Sequence, residues 1–113
     1  TDPYTSPLAG AADAGNGWKW LAWFGYFQDG GGIWGGWIWH AEHGWLYPVG
    51  NSPSSMWLWD LRMGAWLWTS NSQYPFLYYR SPAWHAWLWY YRGSGQGNGG
   101  WFYNYTAGRN EWR

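Results

Sequence analysis

The sequence predicts an all-β domain built from antiparallel β-hairpins. Aromatic residues alternate at period two with aliphatic ones, clusters of Gly, Asn, Ser and Pro interrupt these runs, and the pattern repeats about every 20 residues. A helical fold is a poor alternative, because no segment keeps a helical apolar stripe for three turns and the 18 Gly would penalise a helix. The hairpins are expected to form a small barrel, a two-sheet sandwich or a hairpin solenoid.

The length of 113 residues corresponds to one domain. Surface scaling gives about 6,400 Å² for the folded chain and about 19,000 Å² for the unfolded one, so roughly two-thirds of the surface can be buried. Aromatic residues make up 27% of the chain, and each ring brings about 200 Å². Rings should therefore supply a large share of the buried surface.

The first 17 residues differ in composition from the rest of the chain. Pro, Ala, Gly and Asp dominate there, which predicts an extended N-terminal arm over residues 1–17, followed by an aromatic-rich hairpin repeat domain over residues 18–113. The arm is either a flexible leader or a segment that adds to a sheet edge of a neighbouring copy. The sequence begins at Thr1 without Met, which indicates either a processed mature chain or a fragment, and we favour the processed chain of a secreted protein.

The repeat is clearest in the return strands. Trp45, Trp66 and Trp87 are separated by 21 residues each, and Trp112 follows after 25. Each unit has a strand, a short polar connection (HAEHG, DLRMGA, YRSPAWHA or NYTAGRNE) and a return strand, as a hairpin requires. A degenerate earlier unit is predicted over residues 18–34, with its turn at 28–32. Four to five hairpins give roughly eight to ten strands.

The alternation gives these strands two apolar faces. Leu and Ile suit a narrow interior because their rotamers are well defined. The predicted core positions are Ile38, Leu46, Leu58, Leu67, Leu77 and Leu88. The aromatic residues predicted to face outward are Trp37, Trp39, Trp45, Tyr47, Trp57, Trp59, Trp66, Trp68, Trp87, Trp89, Trp101 and Tyr103. An outward set of this size exceeds the apolar patches usual on a monomer and indicates an interaction surface.

Three kinds of partner suit such a surface: other copies of the same chain, a glycan whose C–H faces stack on Trp and Tyr, and a quaternary ammonium such as choline. Six Lys and Arg balance six Asp and Glu without clustering, so a nucleic-acid partner is not expected. The sequence contains no run of 18 apolar residues, so a membrane-spanning helix is not expected. It contains no Cys, which excludes a disulfide and a thiolate metal site.

The rhythm of Gly36-Trp37 and Gly100-Trp101 first strands, with a Trp89-Tyr90-Tyr91 return strand, resembles the aromatic hairpin repeats of bacterial cell-surface proteins. That group includes choline-binding and glucan-binding modules. The stretch 18–112 also resembles Trp-rich modules in secreted proteins of environmental bacteria. Trp replaces the Lys and Thr usual in the hairpin repeats, which favours assembly over ligand binding. The resemblance implies an extracellular location.

Candidate catalytic groups are few. His40, Glu42 and His43 stand in a hairpin connection, and the simplest interpretation is a solvated turn rather than a metal pair. Asp29, Asp60, Glu42 and Glu111 could in principle pair for glycoside hydrolysis, but each falls at or beside a predicted turn. No catalytic or cofactor motif is present, so we expect neither an enzyme, nor a cofactor, nor a metal.

The remaining polar residues have simple interpretations. The arginines are expected either to cover strand ends or to stack on nearby rings. They are Arg62, Arg80, Arg92, Arg109 and Arg113. Asn104, in the sequence Asn-Tyr-Thr, has the form of a glycosylation sequon, and His85 is the third histidine. We therefore predict a structural protein of the cell exterior that assembles with itself, with a carbohydrate-binding or choline-binding surface module as the alternative.

Overall fold

The computed structural model describes residues 8, 10–30, 33–50 and 54–113. Within them the chain forms eleven short strands. These are β1 (Ala12–Gly15), β2 (Trp18–Leu21), β3 (Gly25–Gln28), β4 (Ile38–His40), β5 (Gly44–Val49), β6 (Ser55–Asp60), β7 (Ala65–Ser70), β8 (Phe76–Arg80), β9 (His85–Tyr90), β10 (Trp101–Asn104) and β11 (Arg109–Trp112). The predicted all-β hairpin fold is confirmed.

The strands form one open antiparallel sheet in which strand order follows chain order from β1 to β11. Connections of a few residues join most neighbours, as expected for hairpins. The β4–β5, β6–β7, β8–β9 and β10–β11 turns fall in the four polar connections recognised in the sequence.

The N-terminal part differs from the sequence-based prediction in two places. The β2–β3 hairpin turns at residues 22–24, whereas the predicted turn at 28–32 begins with the last residue of β3 and partly lies outside the described residues. Within the predicted arm, β1 pairs with β2, so at least residues 12–15 belong to the sheet. Most of the remaining arm lies outside the described residues.

Alternation along the strands gives the sheet an inward face that is almost fully buried. All six aliphatic positions expected in the interior are at most 2% exposed, and they form one cluster with aromatic side chains. The aromatic members of that cluster are Phe24, Phe27, Tyr74, Tyr79, Tyr90 and Phe102. In the β6–β7 hairpin, Leu58 and Leu67 are direct cross-strand partners. Burial of a Leu side chain contributes about 1.5–3 kcal/mol.

The sheet coils so that its inward face is covered by its own turns and loops. Phe24, in the β2–β3 turn, packs against Tyr74, which precedes β8, with ring centroids 5.7 Å apart. At the other end of the chain, the guanidinium of Arg113 lies 5.0 Å from the ring centroid of Tyr79 in β8. The accessible surface of 6386 Å² matches the value expected for a compact monomer of this mass.

A polar side chain caps the turn of each of the last four hairpins. The Oδ1 atoms of Asp60 and Asn104 accept hydrogen bonds from backbone N–H groups within their own turns, as does the Oγ of Ser81. In the β4–β5 turn the capping residue is His40. These caps satisfy turn donors locally, in the manner of Asx and Ser/Thr turns. The buried cap at Asn104 gives the sequon a structural role in the turn.

Candidate functional site

The outward side of the sheet carries the twelve aromatic residues expected there from the sequence. Trp45, Trp87 and Trp101 are 37%, 40% and 46% exposed, and the other nine are partly buried. We call these twelve residues the outward aromatic face. Further exposed rings, including Trp20, Tyr26 and Trp112, extend it to both ends of the sheet.

Cross-strand pairing holds the rings of the outward aromatic face against one another. Trp39 and Trp45 are direct partners with ring centroids 5.3 Å apart and planes at 73°. Trp59 and Trp66 repeat this geometry in the next hairpin, at 5.3 Å and 70°. Edge-to-face pairs of this kind contribute about 0.5–1.5 kcal/mol beyond the area that they bury. The face is therefore a braced surface of fixed rings.

A shallow groove crosses this face over four strands. It has a volume of about 320 Å³ and is lined by Val49, Trp57, Trp66 and Arg80. Val49 is the cross-strand partner of Trp57, and Arg80 is the partner of Trp66. The rings of Trp57 and Trp66 stand at 89° with centroids 6.5 Å apart, so they form a right-angled corner. The groove thus has apolar walls and one cation.

The histidines of the β4–β5 hairpin are buried, so the interpretation as a solvated turn was wrong. His40 is 0% exposed and His43 is 7% exposed. The Nδ1 of His40 accepts from the backbone N–H groups of Glu42 and His43, which leaves the proton on Nε2, and this nitrogen donates to the carbonyl of Phe24 at 2.8 Å. Burial lowers the pKa of His40 to about 4. It lowers that of His43 as well.

Glu42 fastens this turn to the glycine-rich loop 93–100. Its Oε1 accepts from the hydroxyl of Tyr90 at 2.7 Å and from the backbone N–H of Gly93 at 2.6 Å. Its carbonyl accepts from the N–H of Gly97 at 3.0 Å. Burial, with the hydrogen bond to Glu42, raises the pKa of Tyr90, so this hydroxyl remains a donor. The close approach of this loop requires glycines. A Cβ on Gly95 would lie 2.5 Å from the carbonyl oxygen of Glu42, and a Cβ on Gly97 would overlap the ring of Trp39.

The carboxylates considered for catalysis lie apart from one another, and each has its own partners. Asp29 pairs with Lys19, and Glu111 accepts hydrogen bonds from Arg109 and Arg113. Asp60 is 2% exposed, and burial raises its pKa to about 6. Among the described residues, no group of three or more His, Asp or Glu side chains has the arrangement of a metal site.

The arginines divide between the two expected roles. Arg92 lies 4.9 Å from the ring centroid of Tyr74 and donates to the carbonyl of Trp23, and Arg113 lies 4.8 Å from that of Trp84. Arg109 is exposed at the start of β11. No hydrogen bond or ion pair joins the guanidinium of Arg80 to any described residue. The part of the chain that the structure covers holds no helix long and apolar enough to cross a membrane.

Neither the protein-family models, nor the curated proteins, nor the solved structures returned a match to this chain.

Proposed function

We propose that this protein is an extracellular structural subunit that assembles with copies of itself into a filament or surface layer. The observation that carries the proposal is the outward aromatic face, which continues across the sheet while the inward face is already filled. Large contiguous apolar patches on a compact monomer mark interaction surfaces. A second copy offers a surface of the same composition.

The residue types suit contacts between proteins. Trp and Tyr are the residues most enriched at interface hot spots, and each retains a polar group that can find a partner. Because the rings are already braced edge to face, little side-chain freedom remains to be lost on association. The formal net charge of +0 removes long-range repulsion between copies.

The open sheet provides a direction for growth. Among the described residues its edge strands are β1 and β11, and all four residues of β1 are exposed. An edge presents backbone donors and acceptors to another chain. Contact between the β11 edge of one copy and the β1 edge of the next would be heterologous, and heterologous contacts that do not close generate filaments.

The test is the oligomeric state of the full chain over a wide concentration range, measured by sedimentation velocity and electron microscopy. We expect concentration-dependent assemblies for the wild type and loss of assembly when Trp87 and Trp101 are both replaced by Ser. Leu61→Ser is the matched control, because Leu61 is 56% exposed but lies in the β6–β7 turn. A wild-type protein that stays monomeric at millimolar concentration would contradict the proposal.

The second candidate is a carbohydrate-binding surface module, favoured by the groove of Val49, Trp57, Trp66 and Arg80. A glycan would stack on its rings and change their fluorescence. Choline fits this groove poorly, because the guanidinium of Arg80 would repel a quaternary ammonium. Titration with a glycan panel tests this candidate, and the absence of any fluorescence response would reject it.

A further inference from the structure

The groove on the outward aromatic face differs from the rest of that face by its charge. Three of its four lining residues are apolar, and the fourth, Arg80, is exposed on the last position of β8. Its volume of about 320 Å³ falls at the lower end of the range for small-molecule sites, about 300–1,000 Å³. A ligand here meets an aromatic corner at one end and a guanidinium at the other.

We propose that this groove binds an acidic saccharide, a pyranose that carries a carboxylate, such as a uronate residue within an oligosaccharide. The inference rests on the second candidate function, and it places the ligand on Trp57 and Trp66 of the outward aromatic face. It names both the site on the sheet and the class of sugar.

The aromatic corner supplies the surface for the sugar ring. The planes of Trp57 and Trp66 meet at 89°, so a pyranose that stacks on one indole is flanked by the edge of the other. Neighbouring rings hold both walls in place: Trp57 lies 6.5 Å from Tyr78, and Trp66 lies 5.3 Å from Trp59. Val49, 40% exposed, extends the apolar floor past Trp57. A fixed corner reduces the entropy that binding would cost.

Arg80 supplies the selectivity for an anion. Within the described residues it forms no ion pair, and it stands directly opposite Trp66 in the register of β7 and β8. A guanidinium binds a carboxylate with two parallel hydrogen bonds, a geometry that Lys does not provide. The other titratable groups nearby are His85, the cross-strand partner of Arg80, and Tyr78, which contacts His85. The strand of Arg80 and the two strands beside it contain no Asp or Glu, so no carboxylate from them competes for the cation.

A second tryptophan corner on the same face provides an internal control. Trp68 and Trp87 stand at 86° with centroids 6.4 Å apart, nearly the geometry of Trp57 and Trp66. The residue opposite Trp68 in β8 is Tyr78 rather than an arginine. Binding that depended on tryptophan corners alone would use both places equally.

The experiment is titration of the full chain with a galacturonic acid oligomer and with its neutral methyl ester, followed by calorimetry and Trp fluorescence. We expect the acid to bind at least tenfold more tightly than the ester. Arg80→Gln should reduce the affinity for the acid to the level of the ester, and Trp66→Ala should weaken the binding of both ligands. Trp87→Ala and Arg109→Gln are the matched controls and should bind as the wild type does.

The outcomes separate this proposal from the wider carbohydrate hypothesis. Equal affinity for acid and ester, or an undiminished preference for the acid in Arg80→Gln, rejects the acidic-sugar site while a carbohydrate function stands. Binding of neither ligand, together with no response to a neutral glycan panel, rejects both. Equal losses of affinity in Trp66→Ala and Trp87→Ala would show that binding does not depend on this groove and would reject the proposed site. Arg80 is exposed, so its variant keeps the test valid if Trp66→Ala fails to fold.

Discussion

The hairpins β4–β5 and β6–β7 have the same sequence plan, but their turns are covered to different extents. Both run from a Trp-bearing strand through a short polar turn to a Trp-Leu return strand, and both place a polar cap at the last inward position, His40 in one and Asp60 in the other. The first turn is enclosed by loop 93–100, whereas Leu61 and Gly64 of the second are exposed.

The difference shows that a sequence repeat determines the local geometry of a hairpin but not which other parts of the chain pack against its turn. A long-range contact, from Glu42 to a loop about 50 residues away, converts one copy of the turn into a buried polar cluster. Both capping side chains are buried, and burial shifts their pKa values in opposite directions because it favours the neutral form of a histidine and of a carboxyl group alike. The pKa of His40 is therefore lowered, and that of Asp60 is raised.

The largest expected difference between the two turns comes from their glycines. Gly44 and Gly64 both have positive φ, 80° and 64°, which costs a residue with a side chain about 1–2 kcal/mol. A Cβ on Gly44 would also lie 2.6 Å from the carbonyl oxygen of Gly97, whereas a Cβ on Gly64 meets nothing within 4 Å. We expect Gly44→Ala to lower the free energy of unfolding by about 4 kcal/mol and Gly64→Ala by about 1 kcal/mol. Urea denaturation of both variants measures this, and equal losses would contradict the enclosed turn.

Acid should destabilise the protein through the β4–β5 turn. The pKa values of His40 and His43 are lowered in the folded state, so the unfolded chain binds more protons below pH 6.5 and stability falls as the pH falls towards 4. Asp60 acts in the opposite direction, since its raised pKa adds a proton to the folded state below about pH 6. Two histidines against one carboxyl leave a net loss of stability between pH 6 and pH 4. Denaturation midpoints across that range test the sign, and constant or rising stability would refute it.

Asp60→Asn should sharpen the acid response by removing the opposing group. The amide oxygen can still accept from the N–H of Met63, so the cap is retained while the titration is lost. We expect the fall in the free energy of unfolding between pH 6 and pH 4 to increase by about 2 kcal/mol relative to the wild type. An unchanged pH dependence would show that Asp60 does not titrate in that interval.

The smallest effect concerns the hydroxyl of Tyr90. Tyr90→Phe removes its hydrogen bond to Glu42 and the acceptor used by the N–H of Gly95, which should cost about 1–2 kcal/mol. Tyr79→Phe is the control, because Tyr79 is also inward and its hydroxyl makes no hydrogen bond within the described residues. Thermal unfolding of both variants should show a lower midpoint for the Tyr90 variant alone, with faster exchange of the Gly95 amide.

Much of the fold could be predicted from period-two alternation and turn composition, which report the local environment of each strand. Alternation would also have placed His40, two positions after Ile38, and Tyr90, two positions after Leu88, on the inward face, had polar and aromatic residues been counted by parity as well. The enclosure of the β4–β5 turn could not be predicted in this way. It depends on the coiling of the whole sheet, which brings loop 93–100 into contact with Glu42, and a local sequence pattern gives no information about that coiling.

The agreement of strand order with chain order bears on how such a chain can change length. Each strand pairs with its sequence neighbours, so a duplicated or deleted hairpin leaves every other pairing intact. The contact between Glu42 and loop 93–100 spans two whole hairpins and would be broken by such an event between them. This contact therefore fixes the number of hairpins between Glu42 and loop 93–100, whereas hairpins added outside that interval would leave it intact.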